Sequence, residues 1–200
     1  MKPTRTEAIY EAIRDAIVTG TLPKGDLILE QSIAEQYGVS KATAREILQR
    51  LCSGKYLIAY PRKGYLINEI TDLQCKQIQQ VRFQIEALAL RLVVQHRTDE
   101  EIRTLGDILQ REQTTHDPYN TLNSRFHLRV AELSGSPIVY DTLYGFMGPI
   151  SRYAITNASA GGFGPGDNCH SEIVDALLAR DAEAATHSLQ RDLHLSDHET

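Results

Sequence analysis

The sequence predicts a mainly α-helical protein in two parts, an N-terminal winged helix-turn-helix over residues 1–69 and a C-terminal all-α bundle of six helices over residues 70–200. Three observations lead to this prediction. A tight Gly-Val-Ser turn at residues 38–40 joins two short amphipathic helices. Two short apolar runs flank a basic turn at residues 61–64. The chain beyond the second run consists of helical segments with recognisable caps.

The first predicted helix covers residues 5–18, because Ile9, Ile13 and Ile17 recur four residues apart on one face. It ends near Gly20 and is followed by a loop at residues 21–26 that contains proline and glycine.

The turn at residues 38–40 has the chemistry of a helix-turn-helix. Gly38 can adopt the left-handed backbone that ends one helix, and Ser40 can cap the amides of the next. The second helix has an apolar stripe made of Ala44, Ile47, Leu48 and Leu51. Lys41 and Arg45 then lie near its N-terminal end, from which a major-groove helix contacts bases. Helix pairs of this kind also occur in protein cores, so the turn alone leaves both interpretations open.

The segment after this helix favours the DNA-binding interpretation. Residues 57–60 and 65–67 read as two short strands around a turn that contains Arg62 and Lys63. A hairpin with two cations and a glycine at its tip is suited to lie against phosphates.

The net charge of −5 is unevenly distributed. Residues 1–67 carry ten Lys or Arg against seven Asp or Glu, and the remainder carries eleven against nineteen. The basic part is therefore the predicted winged helix. No apolar run is long enough for a membrane span and no leader pattern is present, so we expect a cytoplasmic protein without a membrane partner. The three cysteines lack C-x-x-C spacing, which argues against a disulfide framework and a cysteine zinc site.

Six helices are predicted in the second part, near residues 71–96, 99–115, 118–134, 138–157, 169–180 and 182–196. The pairs Thr71–Gln74 and Thr98–Glu101 have capping-box spacing, and Asp117 precedes a proline at the start of the third helix. The glycine-rich stretch at residues 160–167 lacks the Lys and Ser/Thr of a phosphate-binding loop, so we interpret it as a connection between helices.

Four polar residues of this part can converge. Asn123 and His127 are four residues apart on one helix face. His170 and Asp192 each lie eleven residues from Asp181, the predicted cap of the last helix, so both are about 16 Å from the turn of a helical hairpin. An isolated pair such as Asn123 and His127 is more often a satisfied core or surface pair than a metal site.

Residues 6–67 resemble the winged helix of GntR-type bacterial transcription regulators, in particular the FadR-like branch. The matching residues are Ala16-Ile17-Val18-Thr19-Gly20-Thr21-Leu22-Pro23-Lys24-Gly25-Asp26, Leu29-Glu30, Ile33-Ala34, Gly38-Val39-Ser40, Arg45-Glu46 and Pro61-Arg62-Lys63-Gly64. Gln31 departs from the usual Arg, Ala42-Thr43-Ala44 from Thr-Pro-Val, and Lys55 from Gly. Because the basic imbalance of one winged helix is small and operator binding needs two half-sites, we expect a homodimer on palindromic double-stranded operator DNA. The residues that the resemblance implies for DNA contact are Gln31, Ser40, Lys41, Thr43, Arg45, Gln49, Arg62, Lys63 and Gly64.

The remainder resembles the FCD ligand-binding domain of FadR-like regulators, and its six predicted helices are similar to those of the VanR-like subgroup. The family motifs D-x-x-F-H and H-x-x-I-x-x-A-L-x-x-x-D-x-x-x-A correspond to residues 123–127 and 170–185. In many members an Asp and three His bind a divalent metal at these places. Here Asn123 stands where Asp is expected and Asp192 where the last His is expected.

The two exchanges leave the formal charge of the set unchanged, so we expect Asn123, His127, His170 and Asp192 to keep a divalent metal. Zinc is the first choice, and nickel, manganese and iron are alternatives. A metal-free polar cavity, in which Asn123 and Asp192 hydrogen-bond the histidines, is the competing interpretation.

Arg82 and Arg152 are candidates to bind an acidic effector, because a guanidinium pairs with a carboxylate through two hydrogen bonds. A structural ion pair is the alternative for each. Effectors of the family are often carboxylate metabolites, so an organic acid is expected.

These observations give one leading hypothesis, a dimeric, ligand-responsive transcription regulator acting as a repressor. Two alternatives remain, a metal-dependent hydrolytic enzyme with a DNA-binding appendage and a regulator that senses the metal itself. Against the enzyme, H-E-x-x-H is absent and no carboxylate stands out as a general base.

Overall fold

The computed structural model describes residues 4–22, 25, 27–114, 121–157 and 169–195. Within them the chain forms ten helices and a two-stranded sheet. The helices are α1 (Arg5–Val18), α2 (Glu30–Tyr37), α3 (Lys41–Ser53), α4 (Asp72–His96), α5 (Asp99–Arg103), α6 (Gly106–Thr114), α7 (Thr121–Leu133), α8 (Pro137–Asn157), α9 (His170–Leu178) and α10 (Ala182–Asp192). The strands are β1 (Leu57–Tyr60) and β2 (Gly64–Ile67). A predominantly helical fold with an N-terminal winged helix is confirmed.

The helix-turn-helix is formed by α2 and α3. Gly38 ends α2 with φ at 61°, and Ser40 caps α3 by accepting a hydrogen bond from the amide of Thr43 at 3.0 Å. Arg5 at the start of α1 donates to the carbonyls of Tyr37 and Gly38 at 2.9 and 3.0 Å, which satisfies the C-terminal end of α2. The apolar faces of α1, α2 and α3 meet in a core that includes Ile13, Ile17, Ile33, Ile47, Leu48 and Leu51.

The wing is an antiparallel hairpin in which Tyr60 lies opposite Gly64. Ile28, just before α2, exchanges two backbone hydrogen bonds with Tyr65 at 2.8 and 2.9 Å. Gly64 has φ at 128°, and a Cβ there would lie 2.7 Å from the Ile28 carbonyl. Only glycine therefore allows the wing to lie this close to the segment that leads into α2.

The helical domain packs around α4, which contacts α7, α8, α9 and α10. Its core includes Phe83, Leu90, Val93, Phe126, Leu143, Ile173 and Leu177. Thr71 and Thr98 form the two predicted capping boxes, with Gln74 and Glu101. Asp181 caps α10 as expected, and α9 and α10 form an antiparallel hairpin around it.

The prediction of a single helix over residues 99–115 is wrong, because α5 ends at Arg103 and α6 begins at Gly106. Ile102 and Leu105, at the end of α5 and just after it, are both fully buried, and the break lies next to Gly106, a residue of low helix propensity. The described part of the domain thus has seven helices instead of six. The last helix ends at Asp192, four residues before its predicted end. The predicted cap Asp117 and the glycine-rich stretch at residues 160–167 lie outside the described residues, as does part of the predicted loop at residues 21–26.

The two domains meet mainly through α8, which packs on α4 and α7 and also on α1. Arg152 of α8 donates to the carbonyl of Ile17 in the last turn of α1, and to Glu69 in the connector at 2.9 Å. The hydroxyls of Tyr10 and Tyr144 lie 2.9 Å apart across the same boundary. Among the helices that the structure describes, none is long and apolar enough to cross a bilayer.

Candidate functional site

The polar face of α3 is oriented as the sequence predicted. Lys41, Arg45 and Gln49 are exposed, whereas Ala44, Ile47, Leu48 and Leu51 are buried. Lys41 and Arg45 share a concave space of about 490 Å³ with Gln31 and with the wing residues at positions 59–65. The start of α3 and the tip of the wing therefore form one surface.

Arg45 is held in a fixed orientation by Glu30. Its Nε donates to Oε1 of Glu30 at 2.8 Å and its Nη2 donates to Oε2 at 3.0 Å. Tyr65 of the wing also donates to Oε1, at 3.2 Å. The hydrogen bonds from Arg45 hold the pKa of Glu30 below its ordinary value. A two-bond pair of this kind orients a guanidinium before it meets DNA.

Some of the other residues predicted for DNA contact form hydrogen bonds within the winged helix, and others are exposed to solvent. The Ser40 hydroxyl caps α3 and lies 2.9 Å from the Thr43 hydroxyl. Gln31 donates to Glu35 at 2.6 Å. Arg62 and Lys63 are exposed at the tip of the wing, where Arg62 adopts a left-handed backbone with φ at 63°.

The structure brings together the four predicted metal ligands. His127 comes from α7, His170 begins α9 and Asp192 ends α10. The Nε2 atoms of the two histidines lie 3.3 Å apart, and Asp192 places Oδ2 3.1 Å from Nε2 of His127 and Oδ1 3.5 Å from Nε2 of His170. Asn123, one turn before His127, places Nδ2 3.5 Å from Nε2 of His170. We refer to these four residues as the polar cluster.

The polar cluster brings two imidazole nitrogens and a carboxylate close together. Glu86 lies 2.6 Å from Nδ1 of His127, so this nitrogen carries a proton and Nε2 faces the cluster. There it meets Nε2 of His170 and the buried Oδ2 of Asp192. A cation, or an additional proton on one of the histidines, would be stabilised between these atoms.

The donor atoms fit a divalent metal. One atom from each of His127, His170 and Asp192 can be chosen so that all three lie within 4.8 Å of one another. Burial alone would raise the pKa of Asp192, but the adjacent His127 and His170 outweigh burial and hold this pKa far below its ordinary value. The carboxylate is thus ionised and ready to act as a ligand. A flip of the Asn123 amide would exchange Nδ2 for the oxygen that a metal requires.

Behind the cluster lies a buried ion pair between Arg82 and Glu86 of α4. Glu86, which contacts His127 through Oε2, accepts a hydrogen bond from Arg82 on Oε1. Burial would raise the pKa of Glu86, but Arg82 and His127 lower it. The spacing of Arg82 and Glu86 on α4 was visible in the sequence, whereas their contact with His127 depends on how α4 packs on α7. Nη2 of Arg82 is buried and has no hydrogen-bond partner in the described part of the chain.

Arg152, the second predicted effector residue, makes its contacts at the domain boundary instead of in the polar cluster. Its guanidinium is bonded to Ile17 and Glu69, and the side chain is only 4% exposed. An acid would have to displace both contacts to reach it. The geometry therefore favours a structural role for Arg152 and leaves Arg82 beside the cluster.

Both halves of the chain match known families. Residues 5–67 match the family described as bacterial regulatory proteins, gntR family, and residues 77–195 match the FCD domain, which alone covers more than half of the chain. The chain belongs to the GntR family of transcription regulators with an FCD domain. These families contain transcription regulators, which places the protein in that class and not among hydrolytic enzymes.

Similar proteins agree with this membership. The HTH-type transcriptional regulator McbR of Escherichia coli K12 is 25% identical over 192 residues, which cover 92% of this chain and 87% of McbR. The HTH-type transcriptional repressor RspR of the same strain is 22% identical over 203 residues, covering 96% of this chain and 88% of RspR.

Solved structures share the fold of this GntR-family regulator. The structure of E. coli McbR/YncC has a TM-score of 0.73 at 23% identity and covers 96% of this chain and 95% of that one. A GntR family member from Pseudomonas syringae has a TM-score of 0.54 at 22% identity, with coverage of 96% and 84%. The arrangement of a winged helix before an FCD-type helical domain is therefore shared.

Proposed function

We propose that this GntR-family regulator is a homodimeric cytoplasmic repressor that binds palindromic operator DNA and responds to a small carboxylic acid bound with a divalent metal in the polar cluster. One observation carries the proposal. Two imidazole nitrogens and a carboxylate from three different helices converge in the helical domain, close enough together to bind one ion. The repressor assignment follows the similarity to RspR, which is named a repressor.

His127 and His170 would hold the metal through Nε2, together with Asp192 and the amide oxygen of Asn123. Glu86 keeps His127 in the tautomer that leaves Nε2 available, as carboxylates behind metal-bound histidines generally do. A mixed set of two nitrogens and two oxygens suits zinc, with nickel, manganese or iron as alternatives. When bound, the ion would supply an electrophilic centre to which a carboxylate can bind.

Arg82 supports an acidic effector. Its Nη2 is a buried donor without an acceptor among the described residues, and a buried unpaired donor carries a free-energy cost. A carboxylate that contacts Nη2 of Arg82 would satisfy this donor. Effector binding would thus involve α4, the helix around which the domain packs.

DNA binding would use Lys41, Arg45 and the wing of each protomer. A single winged helix has only a small excess of basic over acidic residues, so its affinity for DNA would be low. Two copies on one operator would therefore be needed. α4 exposes Leu73, Val81 and Leu88, with Leu73 at 65% exposure, and these residues lie on one side of the helix. We propose that this α4 face pairs with its copy in the homodimer.

The first test is metal content. Full-length protein would be loaded with zinc, dialysed and measured by elemental analysis, beside the variants His127→Ala and Asp192→Ala. We expect about one metal per chain in the wild type and less than a tenth of that in both variants. His96→Ala, which removes an exposed histidine of α4, is the matched control and should retain the metal. A wild type that also fails to bind nickel and manganese would contradict the proposal and leave the metal-free cavity.

Metal sensing is a second candidate function, because His127, His170 and Asp192 could bind a metal ion without an organic ligand. The operator can be selected from random double-stranded DNA. Operator affinity that follows zinc alone would favour sensing, whereas affinity that changes only when an acid is added would favour the effector model.

A further inference from the structure

We infer that a cleft between the two domains binds a small aromatic carboxylic acid. The cleft has a volume of about 460 Å³, which lies in the usual range for small-molecule sites. α1 and α3 line one side, and α7 and α8 line the other. None of the polar-cluster residues lines it, so this second site goes beyond the function proposed above.

Four tyrosines give the cleft its aromatic character, namely Tyr10, Tyr56, Tyr140 and Tyr144. The rings of Tyr140 and Tyr144 are nearly parallel, at 10° with centroids 6.1 Å apart, and the Arg50 guanidinium lies 4.2 Å from the Tyr10 ring centroid. Val18 and Met147 add apolar surface. A flat aromatic ligand could therefore stack on the tyrosine rings and pack against the apolar side chains. Such contacts provide most of the affinity in small-molecule sites.

Two hydroxyl pairs in the cleft favour a ligand with acceptor oxygens. The hydroxyls of Tyr10 and Tyr144 lie 2.9 Å apart, and those of Ser124 and Ser151 lie 3.1 Å apart. Each pair has two O–H protons but uses only one between its members, and the described residues offer no acceptor for the second. Burial and the neighbouring Tyr144 raise the pKa of Tyr10 well above its ordinary value, so its phenol remains a donor at neutral pH.

Arg50 is the cation of the cleft that is most accessible to a carboxylate. It pairs with Glu7 at 3.0 Å, and both side chains are about two-fifths exposed. Exposed pairs contribute little to stability, so an incoming carboxylate can replace Glu7 on Arg50 at small cost. The lining holds three arginines and three acidic residues, so Arg50 and the hydroxyl donors, and not the net charge, favour an aromatic acid.

A ligand in this cleft would contact both domains. α1 and α3 belong to the DNA-binding core, and α8 carries the Arg152 and Tyr144 contacts across the boundary. If the ligand binds this arrangement of the domains more tightly than another, it stabilises this arrangement by the difference between the two binding free energies. The cleft would thus act on DNA binding independently of the polar cluster.

The test uses 4-hydroxybenzoate as the probe and isothermal titration calorimetry with the full chain. EDTA is present, so that the probe has no metal to bind in the polar cluster. Ser53→Trp fills the cleft from an exposed position, and Tyr144→Phe removes one hydroxyl while keeping the ring. We expect millimolar or tighter binding to the wild type, no detectable binding to Ser53→Trp and about tenfold weaker binding to Tyr144→Phe. Ala184→Trp, at an exposed position of α10 outside the cleft, is the matched control and should bind like the wild type.

Two results would overturn the inference. One is a wild type that does not bind 4-hydroxybenzoate at millimolar concentration. The other is equal affinity in the wild type and Ser53→Trp, which would place the probe elsewhere. NMR spectra of tyrosine-labelled protein give a second measurement, in which ring signals removed by Tyr10→Phe and Tyr144→Phe should be those that shift on titration. The loss of zinc in the cluster variants tests the proposed function separately and leaves this result unaffected.

Discussion

Oε2 of Glu86 lies 2.6 Å from Nδ1 of His127, and this contact determines which nitrogen of His127 faces the polar cluster. Because an ionised carboxylate only accepts hydrogen bonds, Nδ1 must carry a proton, and Nε2 is the nitrogen that faces the cluster. Arg82 on the other oxygen of Glu86 keeps that carboxylate ionised inside the protein. Glu86 and Arg82 thus position His127, the proposed metal ligand.

Glu86→Gln should therefore weaken zinc binding by about tenfold to a hundredfold, because the amide is a weaker acceptor and can present its NH₂ group to Nδ1 instead. Competition against a chromophoric chelator measures the affinity. Glu100→Gln, at an exposed position of α5, makes the same chemical change away from the cluster and should leave the affinity unchanged. Equal zinc affinity in Glu86→Gln and the wild type would show that Glu86 does not position His127 for the metal.

Arg45→Ala should weaken binding to the selected operator by about 1 to 3 kcal/mol and relax the preference at one base position. The reason is that Glu30 presents the Arg45 guanidinium in a fixed orientation at the start of α3. Fluorescence anisotropy with the operator and with single-base variants measures both effects.

Lys63→Ala is the matched comparison for Arg45→Ala, because it also removes one cation from the same concave surface. If Lys63 contacts a phosphate, Lys63→Ala should weaken binding to every DNA sequence by a similar factor. It should also lower by about one the slope of the logarithm of the binding constant against the logarithm of the salt concentration. If Arg45→Ala weakened all sequences alike, the assignment of Arg45 to base reading would be wrong.

Lys55→Gly should raise the free energy of unfolding by about 0.5 kcal/mol. Lys55 follows the end of α3 with φ at 57°, a left-handed backbone that disfavours side chains with a Cβ. Relief of this strain is larger than the entropy that the unfolded chain gains with glycine. Urea denaturation measures the change. Lys76→Gly, in the exposed interior of α4, is the control and should lower stability by about 1 kcal/mol; destabilisation by both variants would contradict the strain argument.

The sequence predicted those features that depend on local spacing. The turn at Gly38 and Ser40 and the apolar face of α3 follow from neighbours within one or two helical turns. The polar cluster was also predicted, because a cap at Asp181 fixes the register of the α9–α10 hairpin. The resemblance to FCD domains supplied its chemistry, since spacing alone does not distinguish a metal site from a polar core.

Features that depend on tertiary packing were missed. Glu30 and Arg45 are fifteen residues apart, and Glu86 and His127 are forty-one apart. No periodicity brings such pairs together, because their contact depends on how whole helices pack. The break near Leu105 differs, because Gly106 beside it is a local signal of low helix propensity.

Arg152→Gln should uncouple the two domains. In the native protein the buried guanidinium joins α8 to the carbonyl of Ile17 and to Glu69, and glutamine is too short to reach both. The variant leaves a buried carbonyl without its donor, which costs about 1 to 3 kcal/mol. Scanning calorimetry of the full chain should then show two transitions, or one broadened transition, where the wild type shows a single sharp one. The winged helix should melt first, because its core is the smaller of the two.

The control for Arg152→Gln is Arg191→Gln, which removes an arginine from an exposed pair with Glu172 at 2.7 Å. Exposed pairs contribute at most about 1 kcal/mol, so this variant should keep one transition close to the wild-type temperature. A single unshifted transition in Arg152→Gln as well would mean that the hydroxyl contact of Tyr10 with Tyr144 and the packing of α8 on α1 are sufficient to hold the domains together. Two transitions confined to Arg152→Gln would instead identify its guanidinium as the contact through which a change in α8 reaches the DNA-binding helices.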